Sequence, residues 1–308
     1  MSAIETAAND TMMCCASCGI SEVDKIKLKK CTACKLVRYC SVKCQKKHRS
    51  QHKRACKRRV AELRDELLFK QPESSYLGDC PICFIPLPLN KGNICMNACC
   101  SKMLCLGCVY ASRIQGAEQN CPFCRKPCPK DSGEAELMMK KRIEANDPVA
   151  LREMGNCCWS EGKFSDGFEY IKKASGLGDA AAHHKLSLIY MNGGVEDEDE
   201  ELKKVIYHFE EAAIGGHPTS RVNLGVIEEN CGRYDRAMKH FIIAANQGFD
   251  AAAEKLKEGY ERGYVSKDDF AAALRALQRA IDATKSPQRE AAEQNPDSLN
   301  LRATNSAP

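Results

Sequence analysis

The chain of 308 residues has little that would place it in a membrane or among ordinary enzymes. No window approaches the roughly 18 consecutive apolar residues of a transmembrane helix. The opening stretch MSAIETAANDTMM lacks the basic start and apolar run of a signal peptide, so export is not expected. There is no glycine-rich phosphate loop, no nucleophile elbow and no HExxH. Tryptophan is limited to Trp159 and aromatics to 6%. Cysteine almost vanishes after Cys128, leaving Cys157, Cys158 and Cys231, which excludes a disulfide scaffold spread along the chain. Eighteen of the 21 cysteines lie at or before Cys128, so two compositions are joined. A chain that is not exported sits in the nucleus or cytoplasm, where clustered cysteines are metal ligands rather than disulfides.

Charge is unevenly placed as well. Residues 21–70 carry 17 Lys or Arg against 5 Asp or Glu, a local net of +12, so the overall +5 leaves −7 for the rest. The block reads as a solvated helix face or a docking surface for an acidic partner. It lacks interleaved stacking aromatics, which disfavours nucleic acid.

The first cysteine cluster is a ladder of pairs: Cys15-x2-Cys18, Cys31-x2-Cys34, Cys40-x3-Cys44 and His52-x3-Cys56. Two-residue spacers suit knuckle turns, and three-residue spacers put both ligands one helical turn apart. Eight ligands make two zinc sites. The ladder resembles the MYND zinc finger family, including the Tyr39-Cys40 step. The resemblance implies interleaved sites: Cys15, Cys18, Cys40 and Cys44 on one ion, Cys31, Cys34, His52 and Cys56 on the other. It also implies binding of short peptides beside the second zinc helix. Gln45 follows the family pattern, but the family's Trp is replaced by Arg49. A groove with Lys46, Lys47, Arg49 and Lys53 would favour an acidic peptide or phosphate over an apolar one. A basic helix through Leu68 and a linker, QPESS at 71–75, are expected to follow.

The second cluster opens with CPIC and closes with CPFCR, and contains Cys95, Cys99, Cys100 and Cys105-x2-Cys108 between them. This resembles the RING family in its all-cysteine form, since the usual His position is Lys102. The resemblance implies one zinc on Cys80, Cys83, Cys105 and Cys108. A second would sit on Cys100, Cys121, Cys124 and either Cys99 or Cys95, with Cys99 preferred. RING modules dock a ubiquitin-conjugating enzyme and hold its ubiquitin in a reactive pose, which is catalysis by positioning. Their docking features map onto Ile82, Pro122 and Arg125; the usual Trp is absent, with Ser112 in that region.

From about residue 137 an internal period appears. Ala-rich helices end at Gly178, Gly216 and Gly248, and first helices precede them at 150–155, 184–190 and 221–227. The pattern resembles Sel-one-like repeats of the tetratricopeptide type: two-helix units stacked into an α-solenoid, with a protein-binding concave face. Repeat two carries a Gly193-Gly194-Val195 turn and an acidic insert, and 251–283 reads as a capping pair.

The expected fold is therefore multi-domain: two small cross-brace zinc modules followed by an all-α solenoid of helix-turn-helix repeats. The boundaries are 1–13 disordered, 14–70 MYND-type, 76–130 RING-type, 137–283 solenoid and 284–308 a disordered tail. Cys157, Cys158 and Cys231 are expected to be small buried packing residues. The ring residues at 168, 170, 207, 209, 234 and 241 are expected in the core. His183 and His184, adjacent on a helix, point apart and are not expected to share a metal. About four zinc ions and protein partners are implied. The functional expectation is a ubiquitin ligase that docks a conjugating enzyme and selects substrates through its finger and repeats, or else a non-enzymatic scaffold.

Overall fold

The computed structural model describes residues 14–22, 26–117, 119–193 and 198–296. It divides into two compact units, Met1–Lys70 and Gln71–Pro308. The expected disordered start, the Gly194-Val195 turn and the first residues of the acidic insert lie outside the described residues.

In the first unit, β1 (Lys29–Lys30) pairs antiparallel with β2 (Arg38–Tyr39), and α1 (Val42–Leu68) follows at once. The core is small and made largely of metal-ligand residues: Cys15, Cys31 and Cys34 are buried with Leu28 and Tyr39. A segment this short cannot bury enough apolar surface to fold by that means alone. Ser41 caps α1, its Oγ accepting from the Cys44 N–H at 3.2 Å. Cys40 thus stands before the helix, so the Cys40–Cys44 pair is a strand end plus a first turn. Only His52 and Cys56 follow the expected single-turn spacing within a helix.

The second unit begins with Gln71–Tyr76. This segment is no free linker: the Tyr76 N–H donates to Gly216 O at 3.1 Å and the Asn246 amide to the Gln71 side chain at 3.0 Å. A β-hairpin, β3 (Ile94–Asn97) and β4 (Lys102–Cys105), and α2 (Leu106–Ile114) form the body of the second cysteine module. Its core gathers Cys80, Leu87, Cys95, Leu104 and Val109.

Nine further helices are described: α3 (Ser132–Glu144), α4 (Pro148–Ser160), α5 (Phe164–Gly176), α6 (Ala180–Asn192), α7 (Glu198–Ile214), α8 (Pro218–Asn230), α9 (Tyr234–Asn246), α10 (Ala251–Glu261) and α11 (Lys267–Asp282). From α4 onward they pair in sequence, giving four hairpins that stack into the expected solenoid. Between hairpins, Gly178 and Gly216 adopt φ of +87° and +84° so that the chain can reverse. Asp179 and His217 then cap the next helices. Small residues let the helices approach: Leu151, Ile171, Ala174, Ala182 and Leu186 form one core, and Met238, Phe241, Ala244, Ala252 and Leu256 another. Cys231, by contrast, is exposed, and so is Tyr207 at 52%. Cys231 caps the end of α8, where a turn has no core to enter.

Two elements join the second cysteine module to the repeats within one unit. Helix α3 packs Met139 against Met154 and Cys158 of the solenoid, with Met96 and Ala98 of the module alongside. A last helix, α12 (Pro287–Gln294), packs against α2. Of the tail expected to be disordered, 284–308, residues 297–308 lie outside the described residues. Within the rest, Ser286 instead caps this helix, Pro287 occupies its first turn, and Ala292 is buried in the module's core. That single apolar anchor and the cap are what a polar composition concealed.

Candidate metal centres

Four tetrads of ligand atoms come together, each within 4.8 Å: Cys15, Cys18, Cys40 and Cys44; Cys31, Cys34, His52 and Cys56; Cys80, Cys83, Cys105 and Cys108; Cys99, Cys100, Cys121 and Cys124. In each module the first and third ligand pairs share one tetrad and the second and fourth the other, so two metals cross-brace the chain.

The backbone that builds these corners repeats. Of the five C-x2-C pairs, Cys105 and Cys108 open helix α2. After each of the other four the next residue turns left-handed: Gly19, Lys35, Phe84 and Arg125, at φ between 56° and 76°. Its N–H donates to the carbonyl of the first cysteine, at 2.8, 3.0, 2.8 and 2.9 Å respectively. The knuckle turns the following amides toward the first sulfur. Burial opposes ionisation of Cys15 and Cys31, yet backbone N–H donors outweigh it and hold both thiols at about 6. At Cys80 and Cys121 the leading cause is a neighbouring thiol, Cys105 and Cys100 respectively. Knuckle amides assist, bringing them to about 4 and about 5. Each tetrad therefore holds at least one thiol shifted toward the thiolate. In the first, Cys44, lowered by the Ser41 hydroxyl, joins Cys15. Partners such as Cys56, Cys99 and Cys108 are pushed up, first by burial. A bound cation stabilises such partners as thiolates too.

The donor set fits zinc. A tetrahedral ion with Zn–S near 2.3 Å requires sulfurs about 3.8 Å apart. Observed separations are 3.6 Å for Cys18–Cys40 and Cys40–Cys44, and 3.9 Å for Cys31–Cys56. They are 3.8 Å for Cys80–Cys108 and Cys83–Cys105, and 3.3 and 3.9 Å for Cys99–Cys124 and Cys100–Cys121. In the second tetrad His52 Nε2 lies 3.3 Å from Cys34 Sγ. His48 stacks on His52 and meets the Tyr39 hydroxyl at 3.1 Å, which orients the ring face. Between the two alternatives for the third ligand of the second module, Cys99 lies in a tetrad. Cys95 is buried in the hairpin core, pushed up to about 11 by its burial.

Residues 15–56 match the MYND finger. The family model spans the first ligand to the last of the paired tetrads. Among solved structures, a Sel1 repeat protein from Oxalobacter formigenes is similar at 20% identity and a TM-score of 0.41, over 63% of this chain and 86% of that one. A protective antigen of uropathogenic Escherichia coli strains, displaying an SLR fold, is similar at 20% identity and a TM-score of 0.39. That likeness covers 65% of this chain and 48% of the other. No curated protein matches the chain.

The three residues singled out beside the second module all border its metal corners. Ile82 is half-buried against the module's core, inside the first knuckle. Pro122 is half-buried in the last knuckle, next to Phe123 at 40% exposure, and Arg125 is exposed at its left-handed position. Beside the first module, Lys46, Lys47, Arg49 and Lys53 are all exposed along α1.

Sequence reasoning missed the polar framework of the repeats. Arg152 bridges to Asp179 at 3.0 Å, stitching α4 to the cap of α6. His183 and His184 do point apart: His183 meets His208 at 2.9 Å and His184 meets Ser220 at 2.9 Å. His217 stacks on His184 and accepts from the Ser220 N–H at 3.3 Å. The cap signals Gly178-Asp179 before α6 and Gly216-His217 before α8 were legible, but their partners are on other helices.

Taken together, the chain has two modules with paired zinc-ligand tetrads, the first matching the MYND finger over residues 15–56, followed by stacked helical hairpins. Among the described residues no helix is long and apolar enough to cross a membrane.

Proposed function

We propose that the second module is a RING-type domain and that the protein is a ubiquitin ligase whose finger and repeats select substrate. The observation that carries this reading is the cross-braced pair of all-cysteine tetrads with Ile82, Pro122 and Arg125 at its metal corners. Ile82 and Pro122 would contact the conjugating enzyme. Arg125 would bridge enzyme and ubiquitin from a backbone position that the knuckle itself turns outward. Zinc supplies no reaction step here. With four protein ligands in each tetrad there is no open position, so its part is to hold the corners in place. The basic face of α1 supports an acidic peptide or phosphate as the ligand of the finger.

The test is a purified chain-building reaction with ubiquitin, its activating enzyme and a panel of conjugating enzymes. Ubiquitin chains that depend on Ile82 and Arg125 are the expected result. No transfer with any conjugating enzyme leaves the scaffold reading, which the absent tryptophan and the Ser112 region favour. A peptide screen in which neutral proline-rich sequences beat acidic ones would sink the assignment of the finger's ligand.

A further inference from the structure

The one cation buried against a metal tetrad among the described residues comes from the far end of the chain. Arg289, on α12, is 7% exposed. Its Nη2 lies 3.6 Å from Cys83 Sγ and 3.0 Å from Ile85 O, and its Nη1 lies 2.7 Å from Pro86 O. The guanidinium also reaches Cys105, whose sulfur is 3.8 Å from that of Cys83. It therefore sits on one edge of the Cys80, Cys83, Cys105, Cys108 tetrad and holds the loop after the first knuckle by two carbonyls.

The placement is built. Gly107 opens α2 where α12 crosses it, and a Cβ there would lie 2.7 Å from Arg289 N and 2.9 Å from its Cα. Only glycine admits the helix this close. Ala292 is 1% exposed in the module's core, and the Asn93 amide donates to Glu293 Oε1 at 2.8 Å. Burying an arginine is costly unless its donors are used and its charge is matched. A zinc ion held by four thiolates carries a formal charge of about −2, and N–H···S contacts spread that charge.

We propose that Arg289 is a positioning residue of this zinc centre: it neutralises the Cys83–Cys105 edge and anchors the C-terminal helix as a part of the second cysteine module. The inference rests on zinc occupancy and not on ligase activity. Outer-sphere partners of metal ligands are worth about 10–100-fold in metal affinity. A cation hydrogen-bonded to a thiolate draws charge from it, and the intrinsic nucleophilicity of a thiolate falls as its basicity falls.

The experiment uses the full chain loaded with zinc. Release to a colorimetric chelator is followed while N-ethylmaleimide labels the freed cysteines, which are mapped by mass spectrometry. Arg289→Met keeps the apolar stem and loses the cation. One of the four ions should leave about 10–100-fold faster, with Cys80, Cys83, Cys105 and Cys108 labelled first. Arg289→Lys should restore part of the difference. Gly107→Ala, which keeps the guanidinium but whose Cβ would meet Arg289 N, Cα and Cγ at 2.7–2.9 Å, should act in the same direction by lifting α12. Wild-type release in both Arg289→Met and Gly107→Ala overturns the proposal. So does joint loss of both ions of the module in Arg289→Met without rescue by lysine, which would mark a packing role alone.

Discussion

Gly225 lies on α8 facing α9, and replacing it with alanine sets two known effects against each other. In a helix interior the change from glycine to alanine favours folding by about 1 kcal/mol. Here the new Cβ would fall 2.8 Å from both Cδ1 and Cζ of Phe241, and closer still to Cε1. Phe241 is fully buried, with Ala237, Ala244, Ala245 and Leu256 in the same core, so the ring has nowhere to turn. Overpacking of this kind costs about 1–3 kcal/mol. With three ring atoms this close the clash lies in the upper part of that range, about 2–3 kcal/mol, so net of the propensity gain Gly225→Ala should destabilise the repeats by about 1–2 kcal/mol. Gly176→Ala is the internal control: a Cβ there meets nothing within 4 Å, so only the propensity gain of up to about 1 kcal/mol remains. Urea unfolding of the zinc-loaded chain, read by helical circular dichroism, measures both. With a slope of about 2 kcal/mol/M, Gly225→Ala should lower the midpoint by about 0.5–1 M at unchanged slope. Adding Phe241→Leu, which removes the offending ring edge, should cost less in the Gly225→Ala background than alone. If Gly225→Ala melts at or above the wild type, or the double variant shows no coupling, close helix approach is not what glycine supplies at this position.

Burial holds His217 at about 2 and His240 at about 3, well below the value of about 6.5 in an unfolded chain. Folded repeats thus bind fewer protons. The stability is fully present above about pH 6.5 and is lost as pH falls, at about 1.4 kcal/mol per pH unit for each histidine. Unfolding midpoints at about pH 7.5 and about pH 5.5, either side of that value, should show the loss. His217→Asn, which can still cap α8, should make it shallower, and an unchanged slope would count against the assignment. Arg152→Met leaves Asp179 buried without its cation and should cost about 3 kcal/mol in the same urea assay; a change below about 0.5 kcal/mol would show the pair to be idle. Metal analysis should find one zinc ion fewer in Cys99→Ser and an unchanged number in Cys95→Ser. The reverse result would move the third ligand back into the hairpin.

Much of the candidate site was legible because metal ligation is a local constraint. Most C-x2-C pairs build the same knuckle, so pairing and spacing picked out fourteen cysteines and His52 as candidate ligands, with the fifteenth left between Cys99 and Cys95, without any fold in hand. The solenoid was legible for a related reason: its period repeats the same glycine and alanine requirements at every turn. Four expectations failed where pattern was used in place of partners. Tyr207 reads as core, yet is 52% exposed. QPESS reads as linker, yet the chain just after it bonds to Gly216; Cys231 reads as core, yet ends a helix at the surface; residues after Ser286 read as disordered, yet carry a capped helix. Ser286-Pro287 with Glu290 behind it is a helix start, a signal present but outweighed by the polarity around it.

The sequence by itself determined which residues can hold metal, how many ions they suit and that helices follow in pairs, because those properties depend on neighbours a few residues away. Tertiary structure alone decided that Cys99 joins a ligand tetrad and Cys95 the core, that the second cysteine module and the repeats make one unit, and that Arg289 reaches a cysteine edge 206 residues earlier in the chain. A buried charge or an adjacent pair of cysteines is settled by what lies opposite it, and no pattern along the chain records that.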